Sequence, residues 1–268
     1  MIARYFSVNR EGHSIRCKLY ATDPRNMQHV VIFGHGFGGH KDNKAAERFA
    51  QVLLSKQKGC GVVTFDWPCH GDDVKKKLRL VDCMTYIRLV TAEAREQLGA
   101  TDICVYATSF GGYLFLKYMM DHADSFPAEP SLADTADVDA PFRKVVLRCP
   151  AVSMYSVLTD TIMSHGDADL LKSGKDVPMG FDRKVNMSRQ FLEELKEADI
   201  TKQDFLELSE RILILHGTAD EVVPFESVRQ FADDNLIEFV PIEKADHRFQ
   251  DPALMGTAIK KMIEFLFE

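Results

Sequence analysis

Apolar residues follow two rhythms along this chain. The first is a set of short, nearly continuous apolar runs that end in glycine or a polar residue. They are HVVIFGH (29–35), GVVTFD (61–66), DICVYAT (102–108), KVVLRC (144–149) and RILILHG (211–217), with IEFVPI (237–242) as a further candidate. Runs of this length without alternation read as strands covered on both faces. The second rhythm is a recurrence at three- and four-residue spacing. Residues 43–56 place Ala46, Phe49, Ala50, Leu53 and Leu54 on one side. Residues 80–98 do the same with Val81, Met84, Ile87, Val90, Ala94 and Leu98, and 110–122, 225–234 and 252–267 complete the helical set. Strand and helix in alternation predict a mostly parallel, doubly wound α/β sheet. Ahead of it, IARYFSV (2–8) and SIRCKLYA (14–21) read as a hairpin around Asn9–His13, which adds an antiparallel edge.

Two segments break this order. Residues 124–143 hold Pro127, Pro130 and Pro141 among acidic and small residues, the composition of a long surface loop. Residues 150–208 separate two predicted strands by far more than a crossover helix requires, with a helical pattern around 186–198. They read as a cap or lid insertion over the sheet. On this division, residues 1–149 and 209–268 form the core and 150–208 an insertion within the same domain.

Composition narrows the function classes. The chain has 268 residues, 46% of them hydrophobic, enough to bury a sizeable core. Its net charge of −7 is spread along the chain, which disfavours nucleic acid as the main partner. The one compact basic run, Lys75-Lys76-Lys77, lies beside Asp72-Asp73 and reads as a solvated loop or helix start. The six cysteines, at 17, 60, 69, 83, 104 and 149, form no Cys-x-x-Cys pair, and Cys60, Cys104 and Cys149, in or beside apolar runs, read as small buried hydrophobes. The first residues carry charges throughout and lack the apolar stretch of a signal peptide, and no run approaches a membrane span. The expectation is a reduced, cytoplasmic protein without a membrane partner. The sequence leaves the oligomeric state open.

The chemistry-bearing residues follow one strand after another, at the end where open parallel sheets bind ligands. YATSFGGY (106–113) is a strand turning straight into a helix with Ser109 at the bend. Such a bend exposes the hydroxyl and needs small residues two before and two after, here Ala107 and Gly111. The competing reading is a serine that caps the helix. HGFGGHK (35–41) is a glycine-rich loop able to bring a backbone N–H toward the serine. Together with the residue after the serine it gives two oxyanion donors, the N–H groups of Phe37 and Phe110. It lacks the Gly-Lys-Ser/Thr ending of a phosphate loop. LHGTADEVVP (215–224) puts Asp220 past a buried strand, and EKADHRFQD (243–251) puts His247 between the last strand and the last helix. A serine hydroxyl needs a base, and the base needs an acceptor for its other N–H. Among the other histidines, His35, His70 and His216 adjoin glycines at strand ends and read as loop supports. The order serine, aspartate, histidine is that of the nucleophile-elbow hydrolases.

At these residues the sequence resembles an α/β-hydrolase serine esterase over nearly its whole length. HGFGG, FDWPCHGD (65–72), TSFGG, HGTADEVVP and DHRF carry the resemblance. Within the superfamily it is most similar to cinnamoyl (feruloyl) esterases and related small acyl-ester hydrolases, through His-Gly-Phe and VNMSRQFLEEL late in the insertion. It departs from the pattern at Ala107, where glycine is usual, and at Thr108, where many relatives have histidine. The resemblance implies a triad of Ser109, Asp220 and His247, an acyl-enzyme, a small-molecule ester as substrate and no cofactor or metal. The insertion would supply a substrate pocket, with Met154, Tyr155, Met163, Met179 and Phe181 as candidate lining or as ordinary lid packing. Three alternatives stand beside this reading: an oligopeptidase-like peptidase or amidase, a thioesterase or lipid-ester hydrolase, and a catalytically silent binding protein on the same fold.

Overall fold

The computed structural model describes residues 1–126, 141–181 and 183–267. Eight strands form one sheet: β1 (Ile2–Arg10), β2 (His13–Ala21), β3 (His29–Gly34), β4 (Cys60–Phe65), β5 (Asp102–Thr108), β6 (Val145–Arg148), β9 (Ile212–Gly217) and β10 (Glu238–Ile242). Their spatial order is β1-β2-β4-β3-β5-β6-β9-β10. β1 and β2 pair antiparallel with each other, β2 pairs antiparallel with β4, and every pairing from β4 to β10 is parallel. The expected hairpin therefore forms the antiparallel edge. Its turn is tighter than the sequence alone indicates: Glu11 and Gly12, both at positive φ (50° and 75°), make the two-residue connection that matches strand twist.

The parallel strands β3, β4, β5, β6 and β9 are buried on both faces, with alternate residues entering two separate cores, while the edge strand β10 is only partly covered. Val30 and Ile32 of β3 face one core, while Val31 and Phe33 face the other. Helices α1 (Lys44–Lys56) and α8 (Pro252–Phe267) cover the second face. Helices α2 (Leu80–Glu96), α3 (Phe110–Asp121) and α7 (Phe225–Asp234) cover the first. In α1 the predicted apolar stripe is the buried one, and Asn43 caps its start by accepting from the Ala45 and Ala46 N–H groups. In α2 the stripe is rotated from expectation. Val81 is 61% exposed, and Leu80, Cys83, Tyr86 and Leu89 are buried with Ile87, Val90 and Ala94. The helix lies between α3 and the β1–β2 edge, so its inward face is wider than one stripe.

Between β6 and β9 the chain forms α4 (Met154–Ser156), which runs into a π-helical turn at Val157–Ile162, then α5 (His165–Lys172). A small antiparallel hairpin of β7 (Val177–Met179) and β8 (Val185–Met187) follows, then α6 (Arg189–Glu197). The helix expected around 186–198 thus begins later. Val185 and Met187 are buried with Asn186 exposed between them, a strand period, and Ser188 then caps α6 by accepting the Phe191 N–H at 3.1 Å. Glu194 of α6 reaches the core, accepting the Leu80 N–H at 2.8 Å and the Arg79 guanidinium. It supplies the α2 N-terminus with the cap that Arg79 cannot give. Most of the proline-bearing loop expected at 124–143 lies outside the described residues. Lys75-Lys76-Lys77 is in a loop, where Lys76 donates to Asp73, to the Ser14 carbonyl and to the Tyr86 hydroxyl.

From β3 the chain goes to β4 on one side and later returns to β5 on the other. The crevice at this switch, beyond the carboxyl ends of β3 and β5, is where doubly wound sheets place their sites.

Candidate active site

Ser109 stands at that switch point, between β5 and α3. Its backbone has φ 51° and ψ −117°, a conformation that costs a non-glycine residue about 1–3 kcal/mol. The side chain makes no capping hydrogen bond to α3, so the helix-cap reading does not hold. The turn is held through the backbone instead. The Ser109 N–H donates to the Arg148 carbonyl at 3.1 Å, and the Ser109 carbonyl accepts from Tyr113 and Ala151. Gly111 is required by close approach, because a Cβ there would lie 2.5 Å from the Gly34 carbonyl oxygen. Ala107 is tolerated for a related reason. Its partner in the β3–β5 register is Gly34, which offers no side chain against it.

The glycine loop that follows β3 passes directly over this turn. A Cβ on Gly36 would stand 3.2 Å from the Ser109 Cβ. Phe37 and Phe110, whose N–H groups are the expected oxyanion donors, meet edge to face at 5.8 Å. The Phe110 N–H is at the first position of α3 and so has no acceptor within the helix. The far end of the loop is clamped. The buried Asp66 carboxylate accepts the Lys41 N–H at 2.6 Å, the Lys41 ammonium at 3.2 Å and the Asp72 N–H at 3.0 Å. Gly71 has φ 54°, and a Cβ on it would strike that carboxylate at 2.3 Å. Burial pushes the Asp66 carboxyl up despite these donors. His35 and His70 support the loop as expected. His35 donates from Nδ1 to the Gly36 carbonyl, and the Trp67 N–H reaches its Nε2 at 3.4 Å. His70 stacks on Phe110 at 5.9 Å and meets Phe37 edge-on at 5.6 Å.

Asp220 lies just past β9 and His247 in the loop between β10 and α8. His247 Nδ1 is 2.8 Å from Asp220 Oδ2, and the His247 N–H donates to Glu221 Oε2 at 3.3 Å. Nδ1 facing a carboxylate carries the hydrogen, which leaves Nε2 as the basic nitrogen. Asp220 Oδ1 accepts the Val222 and Val223 N–H groups, each at 2.8 Å. Burial would raise this carboxyl. Hydrogen bonds from His216 and His247, with the charge of His247, outweigh burial and hold it well below the usual carboxylate range.

Of the expected pocket residues, Met154 and Met179 are buried in the larger core, and Tyr155 and Met163 pack against it half-buried. Phe181 is exposed, with the Arg248 guanidinium 6.0 Å from its ring. The turn between β7 and β8 packs on the glycine loop: a Cβ on Gly38 would lie 2.9 Å from the Arg183 carbonyl oxygen, and Phe37 borders Gly180.

Two residues beside Asp220 escape a reading of the sequence. Cys149, just past β6, and His216 of β9 bring their side chains to the Asp220 carboxylate, with donor atoms of all three within 4.8 Å of one another. A soft divalent ion uses such groups, but here His216 Nε2 faces Asp220 Oδ2 at 3.2 Å and the Val223 carbonyl oxygen at 3.1 Å. The β6–β9 register brings them together by pairing Arg148 with Leu215, one residue before each. No local motif records that register.

The fold is one that known proteins share. The model of the Alpha/beta hydrolase family matches residues 31–256, and the chain belongs to that family. It is similar in structure to Est1E from Butyrivibrio proteoclasticus solved with ferulic acid bound, at 18% identity and a TM-score of 0.69, covering 98% of this chain and 100% of that one. The esterase domain of a Rhodothermus marinus protein superposes with a TM-score of 0.70 at 17% identity, covering 99% and 98%. An alpha-beta serine hydrolase homologue from Coxiella burnetii gives 0.61 at 18% identity, covering 98% and 97%. These likenesses are of fold. No curated protein matches by sequence.

Proposed function

We propose that the protein is a serine hydrolase that cleaves carboxylic esters through an acyl-enzyme, with Ser109 as nucleophile, His247 as base and Asp220 as its orienting carboxylate. The observation that carries this is the 2.8 Å contact of His247 Nδ1 with the buried Asp220, alongside a serine in a strained strand-to-helix turn that caps nothing. Ser109 Oγ attacks the ester carbonyl as its proton passes to His247 Nε2. The N–H groups of Phe37 and Phe110 hold the developing oxyanion. The imidazolium then gives its proton to the departing alcohol, and water repeats the sequence on the acyl-enzyme. Asp220 keeps the imidazole in the productive tautomer throughout. No cofactor enters these steps.

The finer reading is an ester with a small acyl or aryl, cinnamoyl-type, group. Residues 150–208 serve as a cap in this proposal, and Met154, Tyr155, Met163, Met179 and Phe181 belong to its pocket side. The packing of the β7–β8 turn on the glycine loop supports the cap, and likeness to an esterase that binds ferulic acid supports the aryl preference. We also propose a reducing, cytoplasmic setting, supported by six free, buried cysteines. Among the described residues no helix is long and apolar enough to cross a membrane.

A fluorophosphonate probe should label the wild type and leave Ser109→Ala unmodified. Hydrolysis should then be compared on short p-nitrophenyl esters, methyl ferulate, a long-chain acyl ester and an aminoacyl anilide. An unlabelled wild type defeats the nucleophile assignment, and turnover confined to the anilide defeats the esterase reading.

A further inference from the structure

Asp220 holds more donors than an orienting carboxylate requires. Val222 and Val223 fix Oδ1 at 2.8 Å each, and His247 Nδ1 takes Oδ2 at 2.8 Å. On that same Oδ2 lies His216 Nε2 at 3.2 Å. His216 Nε2 also lies 3.1 Å from the Val223 carbonyl oxygen, so it faces two acceptors and carries the hydrogen. The imidazole is wholly buried between Phe225, edge-on at 5.8 Å, and Phe239, stacked at 6.4 Å. Its Nδ1 has no hydrogen-bond partner among the described residues. A wholly buried ring with one orphaned nitrogen is a costly way to fill apolar space, and Nε2 is the atom that justifies it. The buried Cys149 thiol belongs to the same cluster, its Sγ lying with the His216 and Asp220 side-chain atoms, all within 4.8 Å of one another. Cys149 sits at φ 47°, an uncommon conformation for a residue with a side chain.

We propose that His216 and Cys149 are positioning residues for the triad: by donating to Asp220 they lock its carboxylate onto His247 and limit how strongly it holds the His247 proton. This inference rests on the roles proposed above for Asp220 and His247. The physical argument is competition for lone pairs. A carboxylate oxygen that already accepts a hydrogen bond is a weaker acceptor for the next. Removing the His216 donor makes Oδ2 a stronger partner for the imidazolium, so His247 should protonate at higher pH. Removing it also frees the carboxylate to rotate about its remaining contacts, which should slow catalysis. The charged and titratable groups around this pair are Asp220, Glu221, His216 and Cys149, with Asp246 and Arg248 adjacent in the chain.

The test reads the His247 ring directly by NMR titration, and kcat and KM on a p-nitrophenyl ester beside it. Five proteins are compared: wild type, His216→Phe, His216→Gln, Cys149→Ala and Cys149→Ser. His216→Phe keeps the ring between its two phenylalanines, and the His247 midpoint should rise by about half a pH unit or more. The acid limb of kcat/KM should move with it, and the plateau kcat should fall about tenfold with KM nearly unchanged. His216→Gln restores an N–H donor and should stay within about threefold of wild type. Cys149→Ala should shift His247 in the same direction by less, and Cys149→Ser should reverse that shift. An unmoved His247 midpoint in both His216→Phe and Cys149→Ala overturns the proposal, as does equal impairment in Phe and Gln variants. Should His216→Phe not fold, the Cys149 pair decides by the same titration. A wild type without turnover or probe labelling overturns the hydrolase reading instead, and the His247 titration still judges the positioning role.

Discussion

Ala107 occupies a position where a glycine is usual, and it fits because of a residue on the next strand. Gly34 lies opposite it in register, and the space a Gly34 side chain would need is already filled by Phe115 at 2.6 Å and the Ala107 Cβ at 3.3 Å. Phe115 thus makes glycine necessary at position 34, and the bare Gly34 backbone leaves room for the Ala107 methyl. Ala107→Gly should therefore cost only about 1 kcal/mol in urea unfolding and keep probe labelling. Gly111→Ala should behave differently. Its contact is with backbone at 2.5 Å, which cannot rotate away, so a loss of about 3 kcal/mol and of labelling is expected. Equal stability of the two variants would refute this account of the turn. The TSFGG stretch could be read locally because the turn needs small residues at fixed offsets. The role of Gly34 could not, since it depends on which strand lies beside β5.

At the scale of elements, the central parallel strands and the helices follow the hydrophobic pattern closely because those strands are covered on both faces. The pattern misleads where an element has an unusual neighbour. Val81 fits the stripe of α2 yet faces solvent, because the helix packs against both α3 and the hairpin edge. The start of α6 is displaced because Val185–Met187 pairs with β7 first. Glu194 then joins the 150–208 segment to the core by capping α2. Glu194→Ala should lower stability by about 1–2 kcal/mol, seen as a lower melting temperature, with α2 amides near Leu80 exchanging faster. Unchanged exchange there would show that the cap contributes nothing.

The whole molecule has a further tie remote from the candidate site, at the opening ends of the strands. Asp102 is nearly fully buried and accepts Arg143 at 2.9 Å through both oxygens and His29 at 2.9 Å. Arg143 also donates to the Leu266 carbonyl at 2.7 Å, so β3, β5 and the end of α8 are joined. Burial pushes the Asp102 carboxyl up, but the Arg143 and His29 hydrogen bonds prevail and hold it below its ordinary 3.8. A carboxyl lowered on folding contributes its full stability above 3.8 and loses it as pH falls through the lower folded value. Asp102→Asn should destabilise the protein by about 3 kcal/mol at pH 7, because Arg143 is left buried without its counter-charge. It should also flatten the decline in stability below pH 3.8, which urea unfolding across pH measures directly.

By itself the sequence determined the layered α/β architecture, the hairpin edge and the linear order of Ser109, Asp220 and His247. Each of these is a local matter, set by apolar period, turn chemistry and the position of a polar residue just past a strand. Only the tertiary structure decided what surrounds them. Strand order placed Gly34 opposite Ala107, loop packing put Asp66 against Lys41, and the β6–β9 register brought Cys149 and His216 to one carboxylate. Register is fixed by the burial of whole strands rather than by any residue within the site. The groups that tune Asp220 thus leave no local trace in the chain and become neighbours only when the sheet closes.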